Sequence, residues 1–332
     1  MAAGLLRYRP ESVVAILDSA HVGRKAEELF GVGGIIPIVG SLQEAESLKP
    51  NALVIGITPA GGLLPPEWRW IILAAIRQGL DIISGMHSFL TDDREFVELA
   101  DRHGSRLIDL RKPPNDLSVS LCRAAGVDSF RIHTVGSDCN CGKKVTAIEI
   151  DRALRQMGKE SVFIATGQSG ILLTGKGIAM DHVISDFVSG AAERLVLENA
   201  NVDFQVIEGQ GAITHPLYSG VTLGMLHGFV PHVLVLCHQA DRRFLRGTPD
   251  MPVPSLELLA HLYESVAEPV FPTKVIAVSL NTFSLTREDA RREIDLIEEQ
   301  MGVPVTDVVR FGAGKIVDAI LDFEKTTRRG GA

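Results

Sequence analysis

Val135-Gly136-Ser137-Asp138-Cys139-Asn140-Cys141-Gly142-Lys143-Lys144-Val145-Thr146 is the stretch that decides the fold. It follows an apolar, β-branched run (Phe130–Val135) and opens an amphipathic one (Lys143–Met157), so it reads as the turn from a strand into a helix. Glycines at both ends let the backbone turn sharply, and its N–H groups can then converge on phosphate oxygens at a helix N-terminus. Lys143 would reach the terminal phosphates as a mobile point charge. The spacing has five residues between Gly136 and Gly142, one more than the common phosphate loop. Lys144 stands where a Ser or Thr hydroxyl usually ligates Mg²⁺. Thr146 offers a hydroxyl only from a different side of the helix. Two lysines without a metal suit phosphates that are bound and not hydrolysed, such as those of the 3′-phospho-ADP part of coenzyme A.

Outward from this loop, short strands alternate with helical stretches, the pattern of a parallel sheet covered on both faces. After it, strands are expected at Ser161–Ala165, Phe204–Ile207, His232–Leu236, Lys274–Ser279 and Val303–Val309. Helices are expected at Asp186–Asn199, Leu256–Ala267, Arg287–Met301 and Gly314–Phe323, with Thr326–Ala332 as a frayed tail. Before it, strands are expected at Val13–Asp18, Ile35–Val39, Leu53–Ile57, Asp81–Ser84 and Arg106–Asp109, with helices at Glu67–Gln78 and Arg94–His103. Arg111–Leu117 contains Pro-Pro-Asn-Asp and continues neither helix nor central strand, so it is taken as a linker. The expected architecture is α/β: a Rossmann-like parallel-sheet domain over residues 1–117, then a doubly wound P-loop domain over 118–332. Ligand sites in such sheets lie beyond the carboxyl ends of the strands. The first domain has no Gly-x-Gly-x-x-Gly after its first strand, where Asp18-Ser19-Ala20-His21-Val22-Gly23 stands, which argues against a dinucleotide site there.

The 332 residues suit about two domains, and 45% hydrophobic with 22% charged residues is ordinary for a chain with a packed core. A net charge of −8 argues against a nucleic-acid partner, which would call for clustered Lys and Arg. The opening residues lack the apolar core of a signal peptide, and no apolar run is long enough to span a bilayer. Four scattered cysteines (Cys122, Cys139, Cys141, Cys237) do not make a disulfide framework. These features predict a cytoplasmic chain acting on a small molecule, with no membrane partner; a homo-oligomer is expected.

The loop resembles the extended loop of dethiobiotin synthetase, which also has five residues between its glycines. In that family the second strand leads to an acidic residue near Mg²⁺ and a later strand ends in Val-Glu-Gly-x-Gly; Ile184-Ser185-Asp186-Phe187 and Val206-Ile207-Glu208-Gly209-Gln210-Gly211 stand in the matching places. Lys144 departs from it, since that family has threonine there. A second resemblance runs over essentially the whole chain, to the D-glutamate N-acetyltransferase family, long catalogued as a domain of unknown function. It is carried by Gly56–Gly62 (Gly-Ile-Thr-Pro-Ala-Gly-Gly), Gly85–Leu90 (Gly-Met-His-Ser-Phe-Leu) and the loop itself. It continues through Ala165–Gly170 (Ala-Thr-Gly-Gln-Ser-Gly), Ser185–Glu193, Glu208–Gly211, His215-Pro216 and Leu236–Gln239. This resemblance implies acetyl transfer from acetyl-CoA, as co-substrate, to the amine of an acidic amino acid, D-glutamate.

That chemistry requires a base for the ammonium proton, donors for the developing oxyanion and cations for substrate carboxylates. Glu208 ends an apolar strand at the sheet's active edge; it is a candidate base or, alternatively, a cap for the next segment. Asp138 can orient an amine or cap the helix. His215 is the other candidate base, though packing would explain it equally. Gln168, Ser169 and His238 are candidate substrate contacts, as is Arg242, which with Arg243 and Arg246 could hold a carboxylate or simply form a solvated basic loop. Gly136–Thr146 would carry the nucleotide. Cys139 and Cys141 are expected as small loop residues; the alternatives are a metal pair and an acyl-cysteine nucleophile. No metal is expected. The competing reading is an Mg-ATP-dependent ligase or kinase, in which Thr146, Asp186 and Glu208 would surround the metal. A third is a nucleotide-sensing protein that binds without turnover.

Overall fold

The computed structural model describes residues 1–57, 62–248 and 250–330, with side chains to 327. The chain divides into two compact units, Met1–Pro113 with Gln168–His182, and Pro114–Gly167 with Val183 onwards. A short excursion after the seventh strand therefore packs with the first unit.

The first unit is parallel α/β, as expected; the runs expected at Val13–Asp18, Ile35–Val39 and Leu53–Ile57 give shorter strands, while Asp81–Ser84 forms as expected. β1 (Ile16–Leu17) pairs in parallel with β2 (Ile38–Val39). β3 (Ala52–Val54), β4 (Asp81–Ser84) and β5 (Leu107–Asp109) form a separate three-stranded parallel sheet in that order. Helices Pro66–Arg77 and Arg94–His103 pack on each other, and Ile72, Leu73, Ile76, Ile82, Met86, Leu90 and Phe96 form one buried cluster. The second helix has both its ends encoded locally. Asp93 accepts hydrogen bonds from the N–H groups of Glu95 and Phe96, and Gly104 follows in the left-handed region. Helix Gln168–Thr174 lies against helix Ala2–Tyr8 in this unit, and Arg9 donates to the Leu173 carbonyl (3.1 Å).

The second unit is built on one six-stranded, all-parallel sheet. Its strands are β6 (Phe130–Gly136), β7 (Ser161–Ile164), β8 (Phe204–Ile207), β9 (Val233–Gln239), β10 (Lys274–Asn281) and β11 (Val305–Thr306). They lie in the order β11-β10-β9-β6-β8-β7. The chain leaves central β6 first toward one edge and later toward the other, which opens a crevice at its carboxyl end. Every residue of β6 is buried, the signature of a strand covered on both faces. Helix Lys143–Gln156 packs on β6 and β7, and helix Leu256–Ala267 on β10. Val135, Leu234, Leu236, Leu259, Tyr263, Val278 and Leu280 belong to the core cluster under the crevice.

The structure corrects several expected boundaries. Val303–Val309 shrinks to a two-residue strand, and the helix expected from Asp186 begins at Val188 after a tight turn at Ser185–Phe187. The final helix does not fray at Thr326 but runs from Gly314 to Gly330. Arg111, placed in the linker, is buried in the first unit. Helix Ser219–Phe229 was not anticipated; its apolar residues lie all round it, so no amphipathic period marks it.

Candidate functional site

The loop leaves β6 and delivers the chain into helix Lys143–Gln156, whose N-terminus carries no side-chain cap among the described residues. Gly142 precedes that helix at φ +120°, a conformation open to glycine and strained for other residues. The first N–H groups of the helix lack intrahelical acceptors and face the loop, the arrangement that binds anions. Lys143 is buried, and its Nζ donates to the Asp138 carbonyl (2.6 Å), within the loop it would leave to meet a phosphate. Beneath the loop, the Tyr263 hydroxyl donates to the Gly136 carbonyl (2.8 Å) and accepts from the Ile213 N–H (3.0 Å). Thr146 turns into the core, where its hydroxyl bonds that of Ser279 (2.7 Å). The hydroxyl considered for a metal ligand is thus engaged elsewhere.

Two buried carboxylates belong to the site, one beside the loop and one within it. Glu208 follows β8, and its Oε2 accepts from the N–H groups of Thr166 (3.0 Å) and Gly167 (3.2 Å). Burial pushes its pKa up to about 7, against the pull of the Lys144 charge and those two N–H groups. The turn it sits on is fixed from both sides. Thr166 Oγ1 donates to the Glu208 carbonyl (2.7 Å), and the Gly209 N–H donates to Thr134 Oγ1 (3.0 Å). A side chain at Gly209 would collide with the Thr134 carbonyl, so the close approach of β6 and this turn demands glycine. Burial lowers the pKa of Lys144, while the Glu208 charge counteracts that shift.

Asp138 is wholly buried in the loop itself. One oxygen accepts from Arg242 Nη1 (2.6 Å) and the Arg246 N–H (2.9 Å), and the other from the Cys139 N–H (2.7 Å). Burial alone would raise its pKa, but these bonds outweigh it and hold the carboxyl below its ordinary value. Asp138 is therefore a structural anion, not a proton acceptor at neutral pH. Arg242, expected to hold a substrate carboxylate, spends its guanidinium on Asp138, on the Cys139 carbonyl (3.0 Å) and on Gln239 Oε1. His215 is equally committed. Its Nδ1 accepts from the Leu217 N–H (3.2 Å), so Nε2 carries the proton and donates to the Arg246 carbonyl (3.0 Å).

His238 hydrogen-bonds Ser137 Oγ through Nδ1 (2.8 Å), and burial with the Arg242 charge pushes its pKa down to about 4. The thiol of Cys139 is pushed up by burial and by the Asp138 charge, which opposes the nucleophile reading. Cys141 is buried and its Sγ contacts the Asp138 carbonyl (3.2 Å), as a small loop-filling residue would. Asp138, Cys139 and His215 bring one ligand atom each within 4.8 Å of one another; Asp138 is paired there with Arg242, and both His215 nitrogens are engaged in hydrogen bonds. Asp186 is exposed on its turn.

Gln168 and Ser169 open a helix that packs in the first unit, where Gln168 lies against Gly85. The segment Gly85–Leu90 follows β4. There Arg111 Nε donates to the Gly85 carbonyl (2.6 Å) and its guanidinium pairs with Asp181, while His87 and His182 meet through their Nδ1 atoms (3.5 Å). Of Gly56–Gly62, residues 58–61 lie outside the described residues. The tie between Asp138 and Arg242 was missed because the two are 104 positions apart, and nothing local in either segment announces it.

Fold and site define a P-loop α/β domain joined to a Rossmann-like one. The chain belongs to the DUF1611 family. Its P-loop domain, described as a domain of unknown function, matches residues 118–317, and its Rossmann-like N-terminal domain matches 19–113. A protein named D-glutamate N-acetyltransferase from Tritonibacter scottomollicae is 37% identical over 96% of this chain and 93% of its own length. Another of that name from a Pseudoalteromonas species is 38% identical over 83% of both chains. The crystal structure of a DUF1611 family protein from Anabaena variabilis superposes with a TM-score of 0.93 at 36% identity, covering 97% of this chain and 94% of that one.

Proposed function

We propose that this protein is an N-acetyltransferase that moves acetyl from acetyl-CoA to the amine of an acidic amino acid, D-glutamate foremost. The names of the relatives support the reaction class and acceptor. Glu208 is the observation that carries the mechanism. It is a buried carboxyl poised near pH 7 beside a phosphate loop whose second lysine replaces the usual metal-binding hydroxyl.

In this reading the donor's phosphates lie on the open N-terminus of helix Lys143–Gln156. Lys143 swings from the Asp138 carbonyl to meet them, and Lys144 adds a second positive charge. The Glu208 carboxylate takes a proton from the substrate ammonium, which a base of pKa about 7 does efficiently near neutral pH. The freed amine attacks the thioester carbonyl, the carbon–sulfur bond breaks, and one of the two protons left on nitrogen goes to the departing thiolate, giving the free thiol and the N-acetyl amide.

The test is free-thiol release with acetyl-CoA and a panel of amino acids, run beside phosphate release with Mg-ATP. Thiol release that requires both acetyl-CoA and D-glutamate is expected. Phosphate release from ATP without thiol release would overturn the proposal.

A further inference from the structure

Arg246 is held in an unusual way. Its N–H donates to the buried carboxylate of Asp138 (2.9 Å), and its carbonyl accepts from the buried imidazole of His215 (3.0 Å). Both main-chain polar groups are thus fixed by side chains that solvent does not reach. The guanidinium itself is exposed and makes no hydrogen bond or ion pair with the described residues. It lies close enough to the phosphate loop for its charge to act on the Cys139 thiol.

The neighbouring Arg242 shows the contrast. That side chain is spent on Asp138 and the loop carbonyl of Cys139, so it has no fork left for a ligand. A buried carboxylate and a buried histidine that together pin one residue's backbone fix where its side chain begins. An arginine so placed, with its donors unspent beside a phosphate cradle, suits bidentate recognition of a phosphate.

We propose that the Arg246 guanidinium binds a phosphate group of the nucleotide held by Gly136–Thr146, and so selects the ligand of this site. This rests on the phosphate-loop part of the proposed function but not on acetyl transfer. Asp138 and His215 are then positioning residues that act through the Arg246 backbone.

The test is calorimetric titration of wild type, Arg246→Met, Arg246→Lys and Arg292→Met with coenzyme A and, separately, with ATP. Arg292 is an exposed arginine on the helix Arg287–Met301, so its loss controls for net charge. Arg246→Met is expected to weaken the nucleotide that wild type binds by about tenfold or more, the worth of one charge-assisted phosphate contact. Arg246→Lys should recover part of the loss, and Arg292→Met should bind as wild type does. In turnover, the KM for the nucleotide should rise with kcat kept. Unchanged affinity in Arg246→Met overturns this inference alone. Nucleotide binding without acetyl transfer overturns the proposed activity and leaves Arg246 to be judged by its affinity. Wild type that binds neither nucleotide overturns both.

Discussion

Two buried carboxylates follow the ends of neighbouring strands, Asp138 within the phosphate loop and Glu208 after β8, and behave in opposite ways. Asp138 is ringed by a guanidinium and two backbone N–H groups, which against the effect of burial hold its carboxyl below its ordinary range. Glu208 receives only two N–H groups on one oxygen, and burial lifts it to about 7. Burial works the same way on both. What separates them is the number of donors supplied: one is held as a charged strut, and the other, in the proposed reaction, exchanges a proton.

The sharpest way to break this contrast is to remove the exchangeable proton. Glu208→Gln is expected to lower the acetyl-transfer rate by roughly 10²- to 10⁴-fold, the usual worth of a general base. Coenzyme A affinity, read by calorimetry, should stay within about threefold of wild type, since a rate loss confined to chemistry leaves ground-state binding in place. Removing the strut should act on stability, as well as on the placement of Arg246. Asp138→Asn leaves the partly buried Arg242 opposite a neutral amide at a buried position, and a loss of about 3 kcal/mol is expected in denaturant unfolding. A variant as stable as wild type would show that the Asp138 bonds are dispensable.

The pH dependence of stability gives the same contrast with opposite signs. Glu208 holds its proton to about pH 7 when folded but only to about 4.5 when unfolded. The folded state then binds more protons in that window, so this residue's contribution to stability falls as pH rises from 4.5 through 7. The fall amounts to at most about 3 kcal/mol, and Glu208→Gln should abolish it. Asp138 contributes stability that is present above its ordinary carboxylate range and is lost as pH falls through its lowered folded value. Asp138→Asn should therefore flatten the acid limb of a melting-temperature profile and leave the neutral limb alone. The smallest effect is expected from Lys144→Met. It removes the cation that pulls Glu208 down, so the rise of kcat/KM with pH should move to higher pH.

Much of this site could be read from the sequence because its signals are local. Glycine at two fixed positions, a lysine after the second and a strand before the first define the loop without any distant partner. Glu208 was marked by the strand it ends, and the parallel α/β class by the alternation of β-branched runs with helical periods. The roles of Asp138, His215 and Arg242 were not legible, because they depend on bonds between residues far apart in the chain. Arg242 looked like one of three equivalent arginines, and only the fold separates it from Arg246. Likewise, the packing of Gln168–His182 with the first unit follows from tertiary contacts that no periodicity encodes. The first unit's first three strands are shorter than their apolar runs because an apolar run marks burial, while a strand also needs a paired neighbour; Asp81–Ser84, paired on both sides, keeps its expected length.

The central claim, that the loop holds coenzyme A and not Mg-ATP, is tested most directly by electron density in crystals grown with each. Coenzyme A phosphates on the backbone N–H groups after Gly142, with Lys143 turned from the Asp138 carbonyl toward them, is the predicted result. Mg-ATP bound at Gly136–Thr146, with the metal held by Glu208 or Asp186, would contradict it.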